Sequence, residues 1–139
     1  ANDILSSLNG TTGFRLDGID ASDFTGRAVS AAGDVNGDGL ADLIIGAYRA
    51  DPGGDSDAGE SFVVFGKTTA FASSLDLSTL DGTNGYRLDG KDAVDRAGRA
   101  VGTVGDINGD GFDEIVIGAY AADPVGGTSG ETYIIFGKA

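Results

Sequence analysis

The sequence predicts an all-β chain built from two copies of one unit, and three observations predict it. First, GFRLDGIDASDFTGRAV (Gly13 to Val29) lies over GYRLDGKDAVDRAGRAV (Gly85 to Val101) at an offset of about 72 residues. From Leu5 to Pro52 roughly 30 of 48 positions are identical with their partners. Second, the 139 residues hold 25 glycines and only two prolines, so turns are frequent. Third, the apolar runs between those turns are short and β-branched, as in Leu43-Ile44-Ile45 and Ile115-Val116-Ile117, which reads as buried strand.

Residues 1–18 read as an N-terminal outer strand, Phe14 to Asp17, with its connection. Residues 19–90 form the first unit. Its first strand, Arg27 to Ala32, is rich in small side chains that suit a crowded axis; its second, Asp42 to Ala47, is almost continuously apolar and implies a sheet covered on both faces. The third is Ser61 to Phe65. A long connection, Lys67 to Asn84, follows, with Leu75, Leu77 and Leu80 packing over the edge, and Tyr86 to Asp89 is the fourth strand. Residues 91–139 repeat the series with Arg99 to Val104, Glu114 to Ala119 and Thr132 to Phe136. One residue is gained or lost after Pro52 and Pro124, and the register resumes with ESFVVFGK over ETYIIFGK.

Four-stranded sheets covered on both faces and repeated in sequence describe β-propeller blades. The fold class is therefore all-β, two four-stranded blades, the second lacking an outer strand of its own. Two blades leave apolar sheet faces exposed beyond the ~400 Å² patch a monomer tolerates. The ring is thus completed by further blades of a longer parent, or by a cyclic homo-oligomer of three or four chains in head-to-tail contact. In the second case the open edge of Thr132 to Phe136 pairs with Phe14 to Asp17 of a neighbouring chain, which acts as a clasp.

Between the first and second strands of each unit lies a loop dense in oxygen donors: DVNGDGLAD (Asp34 to Asp42) and DINGDGFDE (Asp106 to Glu114). Asp34, Asn36 and Asp38 stand at positions 1, 3 and 5, as do Asp106, Asn108 and Asp110. Glycines at 37, 39, 109 and 111 let the backbone curl so that these side chains converge. The carbonyl of position 7 (Leu40, Phe112) and the carboxylate of position 9 (Asp42, Glu114) complete an all-oxygen cage, which favours Ca²⁺ over zinc or copper. The count is about one ion per repeat, two per chain. An EF-hand is excluded: its bidentate glutamate at position 12 is here Ile45 or Ile117, and a strand, not a helix, follows. An Asx-rich turn without metal does not need four acidic or amide groups converging twice.

The succession G-x-A-V, then G-D-x-N-G-D-G-x-x-[DE], a short aliphatic run with Gly-Ala, and V/I-V/I-F-G resembles the FG-GAP repeat of integrin α-subunit β-propellers and their bacterial relatives. The likeness covers nearly the whole chain, twice. It implies calcium bound in both loops by the residues just named, and a domain of adhesion and recognition at an extracellular or cell-surface location. Two positions depart from the pattern. Thr25 and Ala97 replace the phenylalanine of Phe-Gly, and Tyr48 and Tyr120 replace the proline of Gly-Ala-Pro.

A formal charge of −13 argues against nucleic acid or an anionic membrane as partner. No membrane-length apolar run is present, and the start at Ala1 reads as a mature, excised or engineered segment. With no cysteine and no histidine, thiolate chemistry and the commonest general base are absent, so no catalytic residue and no organic cofactor are assigned. The alternative of a propeller belonging to a polysaccharide- or lipid-cleaving enzyme gives Asp23, Arg27, Asp95 and Arg99 as acid/base candidates near the axis, but their recurrence in both units suits a salt bridge better than an active site. A lectin-like reading gives Tyr48, Tyr120, Arg15 and Arg87 to sugar contacts between blades; alternatively these side chains pack and cap strand edges. The expected function is a calcium-stabilised structural or recognition module, with a protein or glycan as ligand and no enzymatic activity.

Overall fold

A computed structural model describes residues 4–139, so residues 1–3 of the N-terminal segment lie outside the described residues. Nine strands run in the order β1 (Arg15–Asp17), β2 (Ala28–Gly33), β3 (Asp42–Ala47), β4 (Glu60–Val64), β5 (Ser74–Asp76), β6 (Gly85–Asp89), β7 (Ala97–Gly105), β8 (Glu114–Ala119) and β9 (Glu131–Ile135). The described residues contain no α-helix, only three short 3-10 turns. They form a four-stranded antiparallel sheet, β2-β3-β4-β6, and a three-stranded one, β7-β8-β9. These open sheets are consistent with partial propeller blades, and among the described residues the second sheet has three strands where the first has four. The predicted strands all appear, with ends displaced by two residues or fewer.

Side-chain alternation explains the layers. In the first blade Ile44 and Val63 face the second blade, where Ile115, Ile117 and Ala119 meet them in one apolar cluster. Ile45, Ala47, Phe62 and Val64 face the other way into a second cluster. The first blade is therefore covered on both faces, which is why β3 has no polar side after Asp42.

That second cover differs from expectation. The stretch Lys67 to Asn84 is not only a connection, since β5 within it pairs in parallel with β1. Leu77 is 1% exposed, with Leu16, Leu75 and Leu80 around it, so the leucines cover a sheet face rather than an edge. Three residues are too short a run to announce a strand, and parallel pairing leaves no local turn signal.

The pairing also leaves one edge of β1 free. The Arg15 N–H donates to the Ser73 carbonyl at 3.0 Å, so Arg15 and Asp17 turn their backbones toward β5 and Leu16 turns away. In β6 the repeat counterparts behave alike. Phe65 N–H donates to Asn84 and Gly90 N–H to Gly59, so the even positions of that strand face β4, among them Leu88, the counterpart of Leu16.

The two blades approach to backbone contact. A Cβ at Gly46 would overlap the carbonyl oxygen of Gly98, so β3 and the start of β7 touch main chain to main chain. Three hydrogen bonds run along this seam: Val94 N–H to Ser56 (2.8 Å), Arg96 N–H to Asp57 (3.0 Å) and Ala97 N–H to Ala58 (2.9 Å), each accepted by the carbonyl. Val94 and Arg96 adopt positive φ of 71° and 58°, a strained conformation for such residues that these bonds hold in place.

Truncating the buried leucine of the cover, Leu77→Ala, should cost about 2–5 kcal/mol of stability. Val125→Ala, at an exposed site, should cost less than about 0.5 kcal/mol. Urea unfolding of both variants checks the difference; a Leu77→Ala chain as stable as the parent would show that β1 and β5 do not seal the first blade.

Candidate metal centre

Both oxygen-rich loops fold as tight carboxylate-centred turns joining the first and second strands of a blade. In the first, the Asp34 carboxylate accepts from the N–H groups of Asp38 (3.0 Å) and Gly39 (2.8 Å), and Asn36 Oδ1 also accepts from Asp38 N–H (3.1 Å). Asp38 Oδ1 accepts from Leu40 N–H at 2.8 Å. The second loop reproduces this. Asp106 accepts from Gly109, Asp110 and Gly111, Asn108 from Asp110, and Asp110 from Phe112 at 3.0 Å. Gly37, Gly39, Gly109 and Gly111 all take positive φ, which is what wrapping successive N–H groups around one carboxylate requires.

The position-9 residues differ between the loops. Asp42 is buried, and both its oxygens accept backbone N–H groups, from Val35 (2.9 Å) and Gly66 (2.8 Å). It thereby ties the loop to the end of β4. Burial holds its carboxyl above the usual range, the two N–H groups pull the other way, and the charges of Asp38 and Asp34 add to the upward push. Glu114, fully buried, spends only one oxygen on such a bond, from Ile107 N–H at 2.7 Å, while the other lies 3.4 Å from Asn108 Nδ2. Its extra methylene carries that oxygen into the loop.

The outcome is a group of three carboxylates, Asp106, Asp110 and Glu114, each offering an oxygen within 4.8 Å of the others. Oxygen ligands at 2.3–2.6 Å from one Ca²⁺ lie no more than about 5 Å apart, so this donor set fits a calcium-sized ion. Among the described residues the first loop shows no such group, and Asp42 is turned to the backbone. Asn36 and Asn108 direct Nδ2 to Asp38 and Asp110. Leu40 and Phe112 are held in the loops by the N–H bonds already described.

Sequence reasoning missed Asp113. Its carboxylate accepts from Asp34 N–H at 2.8 Å across the seam, and its own N–H donates to the Asp34 carbonyl at 3.0 Å. The signal was present, because Asp113 breaks the repeat where the first unit has Ala41. A Cβ at Gly37 would overlap the Phe112 ring, so the two loops are stacked, the second blade's chain lying against the first blade's loop.

The other candidates are differently engaged. Among the described residues Asp23 makes no ion pair with Arg27, nor Asp95 with Arg99; Arg99 instead lies 5.1 Å from the centre of the Tyr48 ring. The expected axial salt bridge is absent there because Asp23 and Asp95 turn inward, where burial raises both carboxyls. Tyr120 accepts from Arg96 at 2.6 Å, Arg15 pairs with Asp17 at 2.5 Å, and Arg87 pairs with Asp89 and, at 3.5 Å, with buried Glu60. These four side chains are occupied within the chain.

A family model described as FG-GAP repeat matches residues 25–64 and 97–135. Among curated proteins the chain is 32% identical over 125 residues to Integrin alpha-PS2 of Drosophila melanogaster, covering 90% of this chain and 8% of that one. It is 32% identical over 123 residues to Integrin alpha-IIb of Mus musculus (87% and 11%) and 31% over 140 residues to Integrin alpha-5 of Xenopus laevis (94% and 12%). The chain thus spans about a tenth of the length of these relatives. No helix among the described residues is long and apolar enough to cross a membrane.

The raised carboxyls set a pH dependence. Burial lifts Asp42 and Glu60 above their unfolded values, so when ionised they oppose folding. In excess chelator, stability should therefore rise as pH falls from neutrality through those raised values. Asp17, Asp76 and Asp81, held below the usual range by hydrogen bonds to Arg15, Ser78 and Thr83, act oppositely, and their contribution is lost only at more acidic pH. Melting temperature against pH should pass through a maximum on the acid side of neutrality; a steady fall from neutrality downward would contradict this assignment.

Proposed function

The chain belongs to the FG-GAP repeat family, and from that membership we propose that it is a calcium-stabilised segment of a β-propeller serving as an adhesion-like structural and recognition module outside the cell or at its surface. The observation that carries the reading is the convergence of Asp106, Asp110 and Glu114 in a loop whose backbone already encloses its carboxylates. Each repeat holds about one ion, so the chain holds two. Asp34, Asn36, Asp38, the Leu40 carbonyl and Asp42 serve the first loop; Asp106, Asn108, Asp110, the Phe112 carbonyl and Glu114 serve the second.

Calcium would relieve the repulsion among these carboxylates and cross-link the loop to the strand that follows it. It also acts at the seam, because Asp34 takes part in the loop and in the hydrogen bonds to Asp113. The ion is structural. The hydroxyl–carboxylate pairs among the described residues, Ser78 with Asp76 and Thr83 with Asp81, are exposed contacts two residues apart within turns, and Tyr120, Arg15 and Arg87 are engaged by partners within the chain, which favours recognition over the lectin and enzyme readings. The ring is completed by further blades or by copies of the chain, with the free edge of β1 fastened to the open edge of β9, and it presents a surface to a protein or glycan ligand.

Affinity is expected in the extracellular-module range, Kd of ~10⁻⁴ to 10⁻³ M. Millimolar calcium should raise the melting temperature above that in chelator through mass action. An unchanged melting temperature would remove the structural ion from the account.

Asp38→Ala and Asp110→Ala should each lose about one bound calcium per chain, and Asp110→Ala should show the larger loss of calcium-dependent stability because its loop holds the converged carboxylates. Calcium titration by calorimetry reads both. Two ions still bound in either variant would contradict the ligand assignment.

A further inference from the structure

Several features that are satisfied at the internal seam recur, unsatisfied, at the two ends of the chain. Leu77 is 1% exposed, whereas its repeat counterpart Leu5 is 85% exposed, although both sit in the same three-residue 3-10 turn. The niche that Leu77 fills is lined by Ile45, Phe62 and Val64. Its counterpart beside the second blade, bounded by Ile117, Tyr133 and Ile135 and, from the first blade, by Ser61 and Leu88, is an unfilled hollow of about 170 Å³ between the two blades.

Glycine usage repeats the pattern. Gly46 is required by backbone contact with Gly98, but its counterpart Gly118, in the middle of β8 and without positive φ, has only Ala100 nearby, 3.7 Å from a Cβ at that position. Beside it runs a groove of about 560 Å³ walled by Arg99, Tyr120, Gly130 and Thr132. Gly26, the counterpart of Gly98, meets nothing within 4 Å. Ser22 and Phe24 hold the same strained positive φ (74° and 58°) as Val94 and Arg96, without the seam hydrogen bonds that hold the latter pair. Val29 is 62% exposed while its counterpart Val101 packs in the internal cluster.

Two of these features match across the ends, Leu5 with the hollow and Gly26 with Gly118. Resting on the propeller reading above, we propose that the open face of the second blade, with its free β9 edge and the hollow behind it, is a docking site for a second copy of this chain, whose residues take the places that those about 72 positions later occupy at the internal seam. Leu5 of the incoming copy then fills the hollow between Leu88 and Tyr133, and its Thr25–Gly26 corner closes over Gly118 as Ala97–Gly98 closes over Gly46. Its β1 adds to the free edge of β9 through the backbone of Leu16. The contact is heterologous, since one end of the chain meets the other end of the next, and such contacts close into rings when the rotation permits.

The test uses the whole chain. Sedimentation equilibrium in millimolar calcium over a range of concentrations should show a mass that grows to a closed multiple of the monomer. Leu5→Asp alters a side chain that is almost fully exposed in the single chain, so the monomer should fold and bind calcium as before. Its association midpoint should move to about tenfold higher concentration or more. Gly118→Val, in a strand conformation valine accepts, should act likewise. A parent chain that stays monomeric at every concentration, or variants that associate as the parent does, would overturn the proposal. The calcium reading stands or falls separately: a monomer that binds two ions and melts higher with calcium sinks only the docking, whereas a multimer indifferent to chelator in mass and melting temperature sinks only the structural ion.

Discussion

The constraint on which the rest of the molecule depends is the backbone contact between blades at Gly46 and Gly98. Side chains normally keep packed sheets about 10 Å apart. Where glycine removes them the strands close in locally, and the Ser56–Ala58 carbonyls come within reach of the N–H groups of Val94 to Ala97. The short contact also aligns the sheets so that Ile44 and Val63 join Ile115 and Ile117 in one buried cluster. A bulkier residue at position 46 would separate the blades, break those bonds and leave Val94 and Arg96 strained without support.

The acidic loops sit at one end of this seam and share its geometry. Their carboxylates do two jobs, accepting the N–H groups of their own loop and offering the remaining lone pairs inward. The two loops divide the work differently. Asp42, one methylene shorter than Glu114, accepts one backbone N–H on each oxygen, from Val35 and Gly66, and ties β3 to the end of β4; Glu114 keeps one oxygen turned toward Asn108 and the group around Asp110. Asp113 then stitches the second blade to the first loop, so loop conformation and blade packing are coupled through Asp34. The formal charge of −13 is tolerable in so small a chain because most of the carboxylates are exposed or wrapped in backbone donors.

The chain has unequal ends. At the first blade β1, β5 and the leucines form a cover, so Phe62 and Val64 are buried. At the second blade Tyr133 and Ile135, the counterparts of Phe62 and Val64, pack toward the first blade, whereas Ile134 and Phe136, the counterparts of Val63 and Phe65, stay exposed with Tyr120, and β9 is an edge strand among the described residues. Exposed apolar surface beside an open strand edge is what soluble proteins normally avoid, which is why this end reads as half of an interface.

By itself the sequence determined the repeat, the all-β class, the strand order within each unit and the position of both loops. Those features are local. A period near 72 residues, alternation along a strand and the Asp-x-Asn-Gly-Asp-Gly spacing act over distances the chain writes directly into its order. Only the tertiary structure decided that Lys67 to Asn84 contributes β5 and buries Leu77 on a sheet face, and that Asp42 and Glu114 play different parts. It alone paired Asp113 with Asp34, and set Arg99 over Tyr48 in place of the expected pairing with Asp95. These outcomes depend on which backbone groups and faces come together after the blades stack, and contacts between residues far apart in the chain leave no periodic trace in it.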